Sequence, residues 1–172
     1  GGGYIGLELG WGGLLAKVRR YRASNRPLDS AFYDGEEQLL LGIQDWIRRH
    51  VTLAREMAEQ EPHPVLRDNL LAIAEMNEWL VEGAPRTLRE ACQFLAWFQC
   101  VDRMWALGGA LGQLDELLLP FYEADLAAGR ETDESAIWHL ASLFYNDPHY
   151  SQIGGQAPDG RDLTSPVSFL IL

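Results

Sequence analysis

Four histidines and two cysteines are the side chains of this chain best suited to bind a metal or attack a substrate. A di-iron site in a helical protein needs Glu-x-x-His pairs on facing helices. The residues three positions before His50, His63, His139 and His149 are Ile47, Gln60, Ala136 and Asn146, so that pattern is absent. There is no HExxH, no pair of metal-binding cysteine motifs, no P-loop lysine and no GxSxG elbow. The spacing therefore predicts no metal site and no self-sufficient catalytic site. Cys92 and Cys100 fall on one predicted helix, about 12 Å apart along its axis, too far for a disulfide within that helix. Both read as small buried hydrophobes in a reducing compartment. The most demanding stretch is Gly154–Arg161, GGQAPDGR. A glycine pair follows a short β-prone run, and Pro158-Asp159-Gly160 then fixes a tight turn. His149, Tyr150 and Gln152, immediately before the glycine pair, carry hydrogen-bonding groups. Arg161 and Asp162 read as a structural pair that fixes the turn.

Mostly helical elements must position these residues. Leu7 to Tyr21 reads as a first helix, broken by Asn25-Arg-Pro-Leu-Asp29. From Glu36 to Glu59, Leu40, Ile43, Ile47, Val51, Ala54 and Met57 recur at three and four, which buries one face. Pro62-His63-Pro64 starts the next helix, whose stripe is Leu66, Leu70, Ile73, Asn77 and Leu80. Thr87-Leu-Arg-Glu90 is a capping box opening a helix that is apolar nearly all round: Ala91, Phe94, Leu95, Trp97, Phe98, Val101 and Trp105. Gly108, Gly109 and Gly112 form a loop. Helices follow over Leu114–Ala128, with Pro120 in its first turn or kinking it, and from a Thr132 cap to Tyr145. Tyr150–Ile153 is the strand candidate, and Thr164 caps a last helical start.

A net charge of −11 over 172 residues argues against a nucleic-acid partner, since phosphate binding needs a basic face. The one basic cluster, Lys17, Arg19, Arg20, Arg22 and Arg26, reads as the solvated end of the first helix. No uncharged apolar run approaches the ~20 residues needed to span a bilayer, and no signal peptide is visible. A cytoplasmic chain without a membrane partner is expected. The absence of an initiator Met and the apolar ending SFLIL suggest a piece of something larger.

Three motifs, taken in order, resemble the pyruvate formate-lyase-like glycyl radical enzymes. Thr87-Leu-Arg-Glu-Ala-Cys-Gln93 matches a T-F-x-E-A-x-Q stretch. Gly112, Asp115, Leu118, Pro120, Tyr122, Asp125, Leu126 and Gly129 match G-R-x-D-Q-x-L-x-P-Y-Y followed by D-L-x-x-G. Gly154, Gly155, Asp159, Gly160, Arg161, Asp162 and Thr164 match G-G-x-x-x-D-G-R-D-x-T-N. The chain departs from the pattern at Gln113, where arginine is usual, at Ser165 in place of asparagine, and at Pro166 in place of an acidic residue.

The resemblance implies a fold class that is mainly α in this segment: a helical shell plus one or two strands of the family's α/β barrel. Residues 1–172 would form a single partial domain. It implies a glycyl radical in the full-length protein, installed by a radical-SAM activase and passed to a cysteine that attacks a small-molecule substrate. Neither radical residue falls within these residues, so the segment binds no cofactor, holds no catalytic residue and is inactive alone. It works with the rest of the same polypeptide, and a homodimer is one candidate assembly. The residues ahead of the glycine pair would line the substrate site, which singles out His149, Tyr150 and Gln152. The rival readings are a non-catalytic relative and a free-standing helical protein-binding module.

Overall fold

The computed structural model describes residues 3–104, 111–146 and 150–172. The elements are α1 (Gly3–Asn25), α2 (Ala31–Gln60), α3 (Pro64–Leu80), α4 (Leu88–Arg103), β1 (Gly112–Gln113), α5 (Leu114–Ala127), α6 (Asp133–Asn146), β2 (Ser151–Gln152) and α7 (Pro166–Ile171). The predicted fold class is therefore observed: helices dominate and two short strands accompany them. The chain forms two compact units, Glu8–Ala84 and, separately, Gly1–Leu7 with Pro85–Leu172.

The Glu8–Ala84 unit is a helical hairpin with most of α1. Leu40, Ile43, Ile47, Val51 and Ala54 of α2 are buried, as their spacing predicts. Val51 and Ala54 form a cluster with Ala74 of α3, and Ile73 packs against it. The stripe does not run to the tip of the hairpin: Met57 is 50% and Leu66 is 53% exposed, and near the turn only the small Ala58 is buried. α2 starts at Ala31, earlier than its apolar pattern suggests, because the Asp29 carboxylate accepts the Ala31 N–H at 2.8 Å and satisfies a free donor. The basic end of α1 is not simply solvated. Arg19 pairs with Glu37 at 2.6 Å and Arg22 with Asp34 at 2.7 Å, both from the first turns of α2. α1 breaks its own geometry at Gly10, with φ 64°. A Cβ there would sit 2.4 Å from the Gly83 carbonyl carbon, so this approach, closed by Gly12 N–H donating to Glu82 O at 2.9 Å, admits only glycine.

In the other unit, Thr87 caps α4 by accepting the Glu90 N–H at 3.2 Å. The Glu90 carboxylate reaches back to the Arg86 N–H at 2.6 Å. Ala91, Cys92, Phe94, Leu95 and Trp97 are buried, but Arg89, Gln93, Phe98 and Val101 are half-buried and Cys100 is exposed. So α4 has one buried face and is not buried all round; Trp105 lies outside the described residues. Pro120 lies in the interior of α5, beyond its first turn, so the helix forgoes one backbone bond there. Thr132 Oγ1 accepts from Ser135 N at 3.2 Å at the start of α6. α7 is capped by Ser165, not by Thr164. Ser165 and Ser168 exchange bonds in a capping box, and Pro166 in the first turn needs no N–H there. The predicted loop glycines Gly108 and Gly109 lie outside the described residues, whereas Gly112 opens β1.

Candidate functional site

β1 and β2 pair in parallel, with Gly112 opposite Ser151 and Gln113 opposite Gln152. One further backbone bond extends the ladder, Leu111 N–H donating to Tyr150 O at 3.0 Å. Side chains of the β1–α5 junction bond to the loop just beyond this short ladder. Asp115, in the first turn of α5, is fully buried. Its Oδ1 accepts the Glu116 N–H at 2.9 Å, and its Oδ2 accepts the Gly154 N–H at 2.6 Å and the Ser168 hydroxyl. The Gln113 side-chain amide donates to Gly154 O. One glycine is thus held by both of its backbone groups from two side chains of the β1–α5 junction. Gly154 adopts φ 61°, where an L side chain is strained, so the grip selects glycine.

The loop beyond is a small hairpin. Ala157 N–H donates to Arg161 O at 2.8 Å, Leu163 N–H to Gly155 O at 2.9 Å, and Gln156 bridges Asp162 in antiparallel sense. Arg161 and Asp162 do not form the predicted pair. Arg161 leans towards Asp159 at 3.9 Å with both side chains about two-thirds exposed, a geometry that binds weakly in water. Asp162 instead accepts the Thr164 N–H at 2.9 Å. The bonds from the Thr164 backbone and side chain lower its pKa. A carboxylate two residues before a free N–H closes a local turn, whereas arginine and aspartate adjacent in an extended hairpin point apart.

A second buried carboxylate joins two other matched motifs. Asp125, fully buried, accepts the Leu88 N–H at the start of α4 at 2.7 Å. Arg130 closes on its other oxygen, Nε at 2.8 Å and Nη2 at 2.7 Å. Tyr122 donates to Asp133 at 2.7 Å, and that hydrogen bond, followed by burial, raises the phenol's pKa. His139 Nε2 lies 3.0 Å from Glu131, whose other oxygen accepts the Ser135 hydroxyl. These bonds are architectural: each ties a helix end or a loop to a neighbour.

Tyr150 is 85% exposed and Gln152 is exposed, with half-buried Ser151 between them. Strand alternation puts Tyr150 and Gln152 on one side and Ser151 on the other. His149 lies outside the described residues. Neither cysteine is in a disulfide, and they differ: Cys92 is buried, as predicted, but Cys100 is exposed at the end of α4's apolar run. Burial, reinforced by the Glu131 charge, pushes the Cys92 thiol up to about 12, so it holds its proton at neutral pH and is no nucleophile. Among the described residues no three His, Cys, Asp or Glu side chains cluster as a metal site, and no helix is long and apolar enough to cross a membrane. A groove of about 820 Å³ in the Glu8–Ala84 unit carries Arg48 and Arg55, but Glu82 and Glu78 face them at 3.5 and 2.6 Å. Its charge is already matched. Tyr150 and Gln152 present their hydrogen-bonding groups to the exposed side at β2. Motif spelling pointed to Asp115 and Asp125 without saying what they bind; an acidic residue just inside a helix that follows a glycine turn was the available signal.

Comparison with known proteins fixes the class. Residues 3–172 match the family described as pyruvate formate lyase-like, and the chain belongs to that family. It is 34% identical over 151 residues to isethionate sulfite-lyase of Nitratidesulfovibrio vulgaris, an alignment covering 74% of this chain and 18% of that protein. The crystal structure of a glycyl radical enzyme from Archaeoglobus fulgidus superposes with a TM-score of 0.85 at 25% identity, over 96% of this chain and 25% of that one. A structure concerned with 1,2-propanediol dehydration in Roseburia inulinivorans gives 0.80 at 27% identity, over 95% and 24%. The chain thus spans about a fifth to a quarter of the length of these relatives. Its relatives are glycyl radical lyases and dehydratases, and its fold is theirs.

Proposed function

We propose that this chain is the shell and first pocket wall of a glycyl radical lyase or dehydratase, an enzyme that cleaves a C–C or C–X bond of a small polar metabolite. Both compact units belong to one pyruvate formate-lyase-like domain completed by further polypeptide. The observation that carries this is the family match over residues 3–172, which takes in all three motifs. The glycyl radical, installed by a radical-SAM activating enzyme in the cytoplasm, would supply hydrogen abstraction from substrate through a cysteine outside these residues. The residues here bind and shield. Tyr150 and Gln152 offer hydrogen bonds to the substrate from the strand edge, and His149 is assigned the same substrate-binding role. The apolar wall of α4 keeps water from a centre that survives only where water is excluded. The 172 residues alone are inactive, since they supply no radical residue.

Electron paramagnetic resonance of the intact protein after anaerobic activation tests this reading. A glycyl doublet is expected. Its absence under conditions that activate a known member would leave a non-catalytic relative that keeps the shell.

A further inference from the structure

The proposed pocket wall is presented by a strand whose ladder is only a few bonds long. A one-residue slip in a strand exchanges its two faces, which here would put Ser151 where Tyr150 and Gln152 stand. Something must therefore choose the register, and the backbone ladder is too short to do so alone. The two bonds from Gln113 and Asp115 to Gly154 fall just past the end of β2, on the residue where a slip would show first. They are also directional in opposite senses: Gln113 donates to the carbonyl and Asp115 accepts from the N–H. After a slip Gly155, at φ 104°, would have to take Gly154's place, with its groups turned differently.

We infer that Gln113 and Asp115 are positioning residues that lock β2 in the register presenting Tyr150 and Gln152 together to substrate. The inference rests on the reading of β2 as pocket wall. Ser168 belongs to the same device, because its hydroxyl holds the Asp115 oxygen that grips Gly154 and accepts from Ser165 N at 2.9 Å. The lock is a hydrogen-bonding requirement and not one of shape. A longer donor at position 113 preserves it, and an apolar side chain of glutamine's size destroys it.

Fluorine NMR of the intact protein labelled with 3-fluorotyrosine, with Tyr150 assigned through Tyr150→Phe, reads the lock directly. Gln113→Leu should move or split the Tyr150 resonance while the melting temperature stays near that of the parent, and Gln113→Arg should restore the single parental signal. Asp115→Leu, which removes the acceptor of the Gly154 N–H, should act as Gln113→Leu does; if it fails to fold, the two variants at position 113 still decide. An unchanged Tyr150 signal in Gln113→Leu overturns the inference, as does a Gln113→Arg protein that behaves like Gln113→Leu. The glycyl doublet separates this from the enzyme reading. A doublet with an indifferent Tyr150 signal removes the lock alone, whereas a responsive signal without a doublet keeps the lock and removes the enzyme.

Discussion

The α2–α3 hairpin and the β1–α5 junction with its Gly154 loop solve the same problem by opposite means. In the hairpin every backbone group inside the helices is satisfied by its own helix, so the contact is left to Val51, Ala54, Ala74 and the half-buried Ile73. Its ion pairs stay at the surface; Arg55 and Glu78 are each at least half exposed. At the junction the backbone turns through positive φ and leaves N–H groups without helical partners. Buried carboxylates take them: Asp115 for Gly154 and Asp125 for Leu88. A regular element can afford an apolar core, but an irregular one that must stay put needs buried polar groups, each fully engaged. The junction is also where the proposed pocket begins.

The sharpest way to break this contrast is Asp125→Ala. It strips the buried Leu88 N–H of the carboxylate that accepts it and releases Arg130. Arg130 is half exposed and can turn to water, so the loss is that of a buried N–H left unsatisfied, about 1–3 kcal/mol. The loss should appear as a lower denaturation midpoint by urea titration, and Asp125→Asn, which keeps one acceptor, should lose less. A midpoint unchanged by Asp125→Ala would mean the carboxylates decorate the junction without holding it.

An alkaline effect is expected at α4, where Cys92 is buried without a hydrogen-bonding role in the junction. Cys92 has its pKa raised from 9.0 to about 12, chiefly by burial. The unfolded chain therefore releases this proton first. Stability is whole below about pH 9 and declines as pH rises towards 12, by on the order of 4 kcal/mol at the limit. Tyr4, raised from 10.0 to about 12 by burial and its bond to Glu116, adds to the decline with the same sign. Cys92→Ala should flatten the urea midpoint against pH between 9 and 11; an equally steep decline would assign it to other groups.

The sequence made the hairpin far more legible than the junction, for a physical reason. A helix repeats one demand every three or four residues, so Leu40, Ile43 and Ile47 betray their face several times over. Pro64 and the Thr87 cap were legible as single start signals, whereas α4's apolar content overstated its burial, which is one-sided. A two-residue strand repeats nothing, and β1 left no trace in the pattern. Of the site, Tyr150 and Gln152 were named only through family likeness. What Asp115 and Gln113 do could not be read, because their partner lies some forty residues away on another loop. The cap of α7 was readable: Pro166 in a first turn makes Ser165 the capping residue, a stronger signal than Thr164's β-branched hydroxyl. Met57 and Leu66 misled because the repeat was carried to the tip of the hairpin, where Ala58 is the buried residue of the last turn of α2.

Within the hairpin, packing should outweigh charge. Ile47 is fully buried in α2, so Ile47→Val removes one methylene from a filled place and should cost about 1 kcal/mol. The smallest effect is expected from the best-formed ion pair of the same hairpin, Arg55 to Glu78 at 2.6 Å. Its short distance suggests strength, but both side chains are half exposed or more. Solvent screens the attraction, and ordering two long side chains costs rotamer freedom. A double-mutant cycle of Arg55→Ala and Glu78→Ala should return a coupling of at most about 0.5 kcal/mol, shrinking further in high salt. A coupling that matched or exceeded the Ile47→Val loss would erase the contrast between the two regions, for the hairpin too would then be held by its charges.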